Sequence, residues 1–205
     1  MTGLLPAHPC DGATAWQLRR AREVVLGGGV LAYPTEAVFG LGCDPWFGPA
    51  VARILALKGR SAAKGLILIA AEWAQVAPLL APMDEAARER VRATWPGPVT
   101  WVCPAAPDLP ASLTGGRDTL AVRVTAHPLA AALCRACAGP LVSTSANRSG
   151  HRPCRSALEV RLRLGRDVDW ILSGALGDLG GPTEIRDAAS GALLRSSPPA
   201  GGTRG

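Results

Sequence analysis

Lys58-Gly59-Arg60, with Lys64 six positions after Lys58, is a compact group of cations separated by a flexible glycine. These two lysines are the only ones among 22 basic residues, in a chain that otherwise uses arginine. Capping a helix C-terminus would be satisfied by either cation. Lysine instead supplies a compact point charge suited to polyphosphate oxygens, beside the planar fork of an arginine. A second group, Ser143-Thr144-Ser145-Ala146-Asn147-Arg148-Ser149-Gly150, follows the apolar pair Leu141-Val142. Its hydroxyls, amide and backbone N–H groups can grip phosphate or ribose oxygens, and such a composition also makes solvated turns. Pro34-Thr35-Glu36 forms a third group, followed by Gly40 and Gly42, which let backbone come close to a ligand. In open α/β sheets ligands gather beyond strand ends, where all three groups can meet.

Other chemistries find less support. There is no GxxxxGK[ST] loop, Gly40-Leu41-Gly42 lacks the third glycine of a dinucleotide fingerprint, and no GxSxG elbow or Ser/His/Asp order occurs. Cys134 and Cys137 have no second Cys or His pair to complete a zinc site. Their spacing inside an apolar-periodic segment reads as packing on one helix face. His8, His127 and His151 form no cluster, and His127-Pro128 reads as a helix entrance.

The elements that must position these groups follow from periodicity and punctuation. Asp11 is a candidate N-cap for a helix through Val25, ended by Gly27-Gly28-Gly29. Strands are predicted at Val30–Tyr33 and Val38–Cys43, then a helix opened by Pro49 and running to Lys58, then the strand Leu66–Ile69. Helices at Trp73–Leu80 and Asp84–Trp95 end at Pro96-Gly97-Pro98. Strands Val99–Cys103 and Leu120–Val124 flank a Pro/Gly-rich loop over 104–116. A helix over Pro128–Ala138 leads to Leu141-Val142 and a polar loop over Ser143–Gly150. A helix near Ser156–Leu164 and strands at Val168–Leu172, Glu184–Arg186 and Leu193–Arg195 complete the pattern. This alternation predicts an α/β fold, a twisted mixed parallel/antiparallel sheet with helices on its faces.

Length and charge bound the reading. The 205 residues suit one domain over 1–195, with the low-complexity residues 196–205 as a flexible tail. Charged residues make up 19% and hydrophobic residues 48%, which excludes intrinsic disorder. The net charge of +6 points to phosphate-bearing partners. The start MTGLLPAHPCDG shows no secretory signal and no apolar run reaches spanning length, so a cytoplasmic protein with reduced thiols and no membrane contact is predicted. Arg148, Arg152, Arg155, Arg161, Arg163 and Arg166, with Glu159 between them, suit either a solvated helix face or a nucleic-acid backbone. They keep open a different reading, a double-stranded RNA-binding or ribosome-maturation module.

Taken in order, YPTEAVFGLGCDP (33–45), LKGRSAAKGLILIA (57–70), WPGPVTWV (95–102), LAVRVTAHP (120–128), LVSTSANRSG (141–150) and PTEIRD (182–187) resemble the YrdC/TsaC-type threonylcarbamoyl-AMP synthase family, in its short bacterial form. The KxR and SxN signatures of that family fall on Lys58-Gly59-Arg60 and Ser145-Ala146-Asn147. The resemblance implies a YrdC-like fold around a basic cavity. It implies an enzyme that condenses L-threonine, bicarbonate or CO2, and ATP to L-threonylcarbamoyladenylate and pyrophosphate. A downstream threonylcarbamoyl transferase complex would then modify N6 of an adenosine next to the anticodon of tRNA. It places threonine against Thr35, Arg123, Ser143 and Thr183. ATP would lie against Lys58, Arg60, Lys64, Thr119, Ser145, Asn147 and Arg195, with Lys58 and Arg60 also catalytic. No tightly bound cofactor or protein-held metal is implied; Mg2+ is expected with ATP. Ile69 stands where longer members carry a histidine, Lys64 where they often have asparagine, and Pro153 and Thr183 where they have serine.

Overall fold

In the computed structural model, which describes residues 15–196, α1 (Ala15–Leu26) buries Ala21 and Val25. The chain then turns through Gly28 into β1 (Leu31–Pro34), which pairs with β2 (Phe39–Gly42). Pro49 lies in the first turn of α2 (Gly48–Lys58), where its missing N–H leaves no bond unmade. Gly59 ends that helix in the left-handed conformation, at φ 56°, which a side chain would disfavour. A 3-10 turn (Ala62–Lys64) leads into β3 (Ile67–Ala70). Next come α3 (Trp73–Val76), a 3-10 turn at Ala77–Leu79, and α4 (Glu85–Arg92), capped by Asp84 through the Ala87 N–H. Then follow β4 (Val99–Pro104), α5 (Ala111–Thr114), β5 (Thr119–Val124), α6 (Pro128–Ala136) and β6 (Leu141–Ser145). The chain closes with α7 (Ala157–Leu164), β7 (Trp170–Ile171), β8 (Glu184–Asp187) and β9 (Leu193–Arg195).

Several boundaries differ from the sequence reading for identifiable reasons. The helix expected over Trp73–Leu80 splits at Pro78, which has no N–H for the α-helical ladder. The loop expected over 104–116 contains α5. The helix expected to reach Ala138 stops at Ala136, and Ala138 takes a left-handed turn at φ 56°. Most consequentially, the expected polar loop 143–150 begins too early. Ser143 and Ser145 are strand residues, because β6 is paired on both edges, with β3 and β2. His127 caps α6 as expected, its Nδ1 accepting from the Ala130 N–H. Asp11, His8 and Cys10 lie outside the described residues, as does the expected tail apart from Ser196.

The nine strands among the described residues form one sheet in the order β7-β1-β2-β6-β3-β5-β4-β8-β9. The pairs β1–β7, β3–β5 and β4–β8 are parallel and the others antiparallel, so the sheet is mixed as predicted. Alternation along the strands divides the core into two. Ala32, Leu68 and Val142 join Ile54 of α2 and Val160 of α7 in one cluster. Leu31, Tyr33, Ile69 and Leu141 join Val25 of α1 and Leu133 of α6 in the other. Burying a side chain of this kind contributes roughly 1.5–3 kcal/mol, so the two layers fix which strand face remains for a site.

Candidate functional site

Register decides which side chains can meet. Ile67 lies opposite Ala121 on one side and Ser143 on the other, and Val102 lies opposite Ala121. Side chains two apart share a face, so Thr119 and Arg123 of β5 and Ser143 and Ser145 of β6 all stand on the face of Ile67. That face carries α1 and α6 at one end and two adjoining cavities at the other. The first, of about 190 Å3, is lined by Thr35, Lys58, Arg60, Arg123, Ser143, Ser145, Thr183 and Arg195, with Gly40, Pro153 and Pro182. The second, of about 350 Å3, is lined by Arg60, Lys64, Arg117, Thr119 and Arg195, with the apolar Leu66, Val102, Leu113 and Ile185. Arg60, Ile67 and Arg195 belong to both. Among the described residues, no aspartate or glutamate lines either one.

Ten of the eleven site residues expected from the resemblance therefore line these cavities. Asn147 lines neither and is instead bonded beneath them. Lys58 Nζ donates to the Ser145 carbonyl at 2.6 Å, to Ser145 Oγ at 3.1 Å and to Asn147 Oδ1 at 2.7 Å. Ser145 Oγ donates to the same Oδ1 at 2.6 Å, while Asn147 Nδ2 donates to the carbonyls of Arg148 and His151. The KxR and SxN segments thus form one bonded unit linking the end of α2 to the end of β6. Burial, followed by the Arg60 charge, pushes the Lys58 ammonium down to about 8. Its three acceptors work against that by favouring the cation.

Arg60 sits with its Nε buried and without a partner among the described residues, and its NH2 donates to the Gly65 carbonyl at 3.0 Å. Burial lowers its pKa first and the neighbouring Arg117 charge lowers it further. Arg195 donates from Nε and NH2 to the Thr183 carbonyl, tying β9 to the 182–183 segment. It too is depressed, by burial and then by Arg123 and Arg60. Guanidiniums that depress one another, with no acid among the lining residues, make a place where an anion lowers the energy.

The Arg123 end is built differently. Arg123 NH2 meets Glu36 Oε2 at 3.1 Å, with side chains only 5% and 8% exposed. Glu36 Oε1 accepts from the Thr125 hydroxyl at 2.5 Å. Arg123 NH1 donates to Thr183 Oγ1 at 3.1 Å and more weakly to Thr100 Oγ1 at 3.4 Å. Its Nε is buried and has no partner among the described residues. A bidentate grip on a carboxylate is therefore not preformed with the terminal nitrogens, and Nε is the unengaged donor. Thr35 Oγ1 donates to the Val38 carbonyl, closing the turn that brings Thr35 to the cavity.

Sequence reasoning left Glu36 and Thr125 without a role, although Pro34-Thr35-Glu36 was marked by its place after a strand. A buried arginine needs a counter-charge, but which of 16 acids supplies it is a long-range fact. Arg117 was also missed. Gly42 has a packing purpose rather than a ligand-facing one, since a Cβ there would lie 2.7 Å from Tyr33 Cε1 and from the Val142 carbonyl. Ile69 is fully buried against the α1/α6 layer and does not line the cavities. Cys134 is buried in that layer, its Sγ against the Ile69 carbonyl, and burial raises its thiol pKa. Among the arginines of 148–166, Arg148 pairs with Asp167 and Arg163 with Glu159, and Arg155 donates to the Ala37 carbonyl.

A mixed sheet with hydroxyls and cations gathered on one face makes a site suited to a polyanion beside a small polar molecule. The family described as Sua5_yciO_yrdC, telomere recombination, matches residues 23–197, and the chain belongs to it. It is 56% identical over 180 residues to a threonylcarbamoyl-AMP synthase of Nitrosococcus oceani, covering 88% of this chain and 97% of that one. Identity reaches 58% over 184 residues with the threonylcarbamoyl-AMP synthase of Halorhodospira halophila, covering 90% and 96%. The crystal structure of P. abyssi Sua5 complexed with L-threonine superposes with a TM-score of 0.83 at 34% identity, covering 89% of this chain and 54% of that protein. This chain thus spans about half the length of the P. abyssi protein, and nearly all of the other two. Among the described residues, no helix is long and apolar enough to cross a membrane.

Proposed function

We propose that this chain is a threonylcarbamoyl-AMP synthase of the short form, a nucleotidyltransferase that joins L-threonine, bicarbonate or CO2, and ATP into L-threonylcarbamoyladenylate with release of pyrophosphate. The observation that carries the reading is the convergence of six separated segments on one sheet face, in a chain more than half identical to synthases of that name. The product would feed a transferase complex acting on N6 of an adenosine in tRNA. Residues 1–195 serve as one catalytic domain in this proposal, working in the cytoplasm. RNA contact on the outer arginine face is a subordinate part of it.

The reaction asks for positioning and charge neutralisation more than for covalent help. The neutral threonine amine forms an N–C bond to CO2 and loses a proton to the surrounding water. A carbamate oxygen then attacks the α-phosphorus, and the bond to the bridging oxygen of pyrophosphate breaks. Arg60, Lys64 and Arg195 would face the triphosphate and the developing pyrophosphate charge. Lys58, engaged three ways, would contribute its charge and hold Ser145 against the nucleotide. Threonine would lie in the smaller cavity, with its carboxylate on Arg123 Nε and the hydroxyls of Thr35, Ser143 and Thr183 around it. That the P. abyssi relative was crystallised with L-threonine supports threonine as a substrate. Mg2+ would arrive with ATP as part of the substrate. Among the described residues no cluster of three or more His, Cys, Asp or Glu groups could hold a metal ion, and the Glu36 carboxylate is already taken up by Arg123 and Thr125.

Arg60→Ala in a pyrophosphate-release assay tests the proposal. Removing one charge-stabilising donor should lower kcat/KM by about 100-fold or more. Activity within about threefold of wild type would remove Arg60 from the reaction.

A further inference from the structure

The loop between α5 and β5, which lines the larger cavity, holds a second arginine that the family signatures do not include. Arg117 NH1 donates to the Ala63 carbonyl and its NH2 to the Lys64 carbonyl, each at 3.0 Å. Arg60 NH2 reaches the same Lys64 carbonyl at 3.4 Å and the next carbonyl, Gly65, at 3.0 Å. The two guanidiniums therefore converge on one short stretch of backbone, although their like charges repel. No ion pair with an acid compensates either of them among the described residues.

The contact is close-fitting. A Cβ at Gly65, whose φ is 63°, would lie 2.9 Å from Arg117 NH2 and 2.9 Å from the Leu113 carbonyl. The Leu66 N–H donates to that same carbonyl at 2.8 Å, so the 62–66 segment is seated on the end of α5. Lys64 itself is exposed on a three-residue 3-10 turn, which has too few internal bonds to hold a rigid position alone. A planar fork spanning two successive carbonyls supplies the missing constraint.

We infer that Arg117 is a positioning residue for the nucleotide end of the site: its fork braces the Ala63–Gly65 backbone, and through it sets where Lys64 and Arg60 stand. The inference rests on the proposed reaction, in which those two cations meet the triphosphate. Arg117 lies at the exposed rim and belongs to the larger cavity only, so the threonine end does not depend on it.

Steady-state pyrophosphate release by Arg117→Ala and Arg117→Lys tests the brace. Arg117→Ala is expected to raise KM for ATP about tenfold while KM for threonine stays within about twofold. Arg117→Lys keeps the charge and loses the planar fork, so its KM for ATP is expected to stay raised by at least about fivefold. An unchanged KM for ATP in Arg117→Ala overturns the inference. So does restoration by lysine, which would leave charge alone as the role, or an equal rise in both KM values, which general loosening of the fold would produce. Wild-type protein releasing no threonine-dependent pyrophosphate would count against the proposed reaction instead. Calorimetric ATP affinity of the same variants then reads the brace independently, with equal affinities for wild type and Arg117→Ala overturning it.

Discussion

The two ends of the site hold their cations in opposite ways. At the Arg123 end a guanidinium meets a carboxylate in nearly dry surroundings, and three threonine hydroxyls complete the network. At the Arg60 end four cations, Arg60, Lys64, Arg117 and Arg195, line one cavity, and among the described residues no acid lines it with them. The first arrangement is electrically balanced and fixed in shape. The second carries surplus positive charge that only an anion can settle. A small zwitterion such as an amino acid suits the balanced end, and a triphosphate suits the surplus. The difference explains how one basic cleft could take two substrates without confusing them.

Breaking the balance should have the largest effect on stability. Glu36→Ala leaves Arg123 buried without its counter-charge, and a loss of about 3–5 kcal/mol of unfolding free energy is expected from denaturant titration. Arg123→Lys preserves charge and removes the fork. It should raise KM for threonine about tenfold and leave KM for ATP within about twofold, measured by pyrophosphate release. Salt sharpens the contrast without mutation. Between about 0.05 and 0.5 M salt, KM for ATP should rise about fivefold while KM for threonine moves less than about twofold, because exposed surplus charge is screened and the buried pair is not.

The smallest effect expected concerns Lys58. Its ammonium is pushed down to about 8, and the unfolded chain keeps that proton until about 10.4. Between those values the unfolded state binds more protons, so this group makes the native state more stable as pH rises from about 8 to about 10. Selective 13C labelling of lysine should show one of the two side chains titrating near 8 in free protein. ATP should move that midpoint upward; a midpoint unmoved by ATP would separate Lys58 from the nucleotide.

Much of the nucleotide end was legible in the sequence, and the illegible part has a physical reason. Two lysines in an arginine-rich chain marked the nucleotide end, because residue type carries information when a default exists. The face shared by Thr119 and Arg123, and by Ser143 and Ser145, follows from their spacing only because β5 begins at Thr119 and β6 runs to Ser145, beyond the strands predicted at Leu120–Val124 and Leu141-Val142. The strand boundary at Ser143 was misread because Ser and Thr favour turns locally, whereas pairing on both edges overrides that preference. Glu36 as the partner of Arg123 could not be read, since the two are 87 residues apart and meet only through the sheet order. Arg117 was hidden for a related reason: its partners are backbone carbonyls, which carry no residue signature.

Mass spectrometry of the nucleotide formed from L-threonine, 13C-bicarbonate and ATP tests the central claim most directly. The account predicts an AMP conjugate containing threonine and one 13C atom, with pyrophosphate released in equal amount and no product when any one substrate is omitted. Pyrophosphate released without threonine, or a threonine–AMP conjugate lacking the labelled carbon, would contradict it.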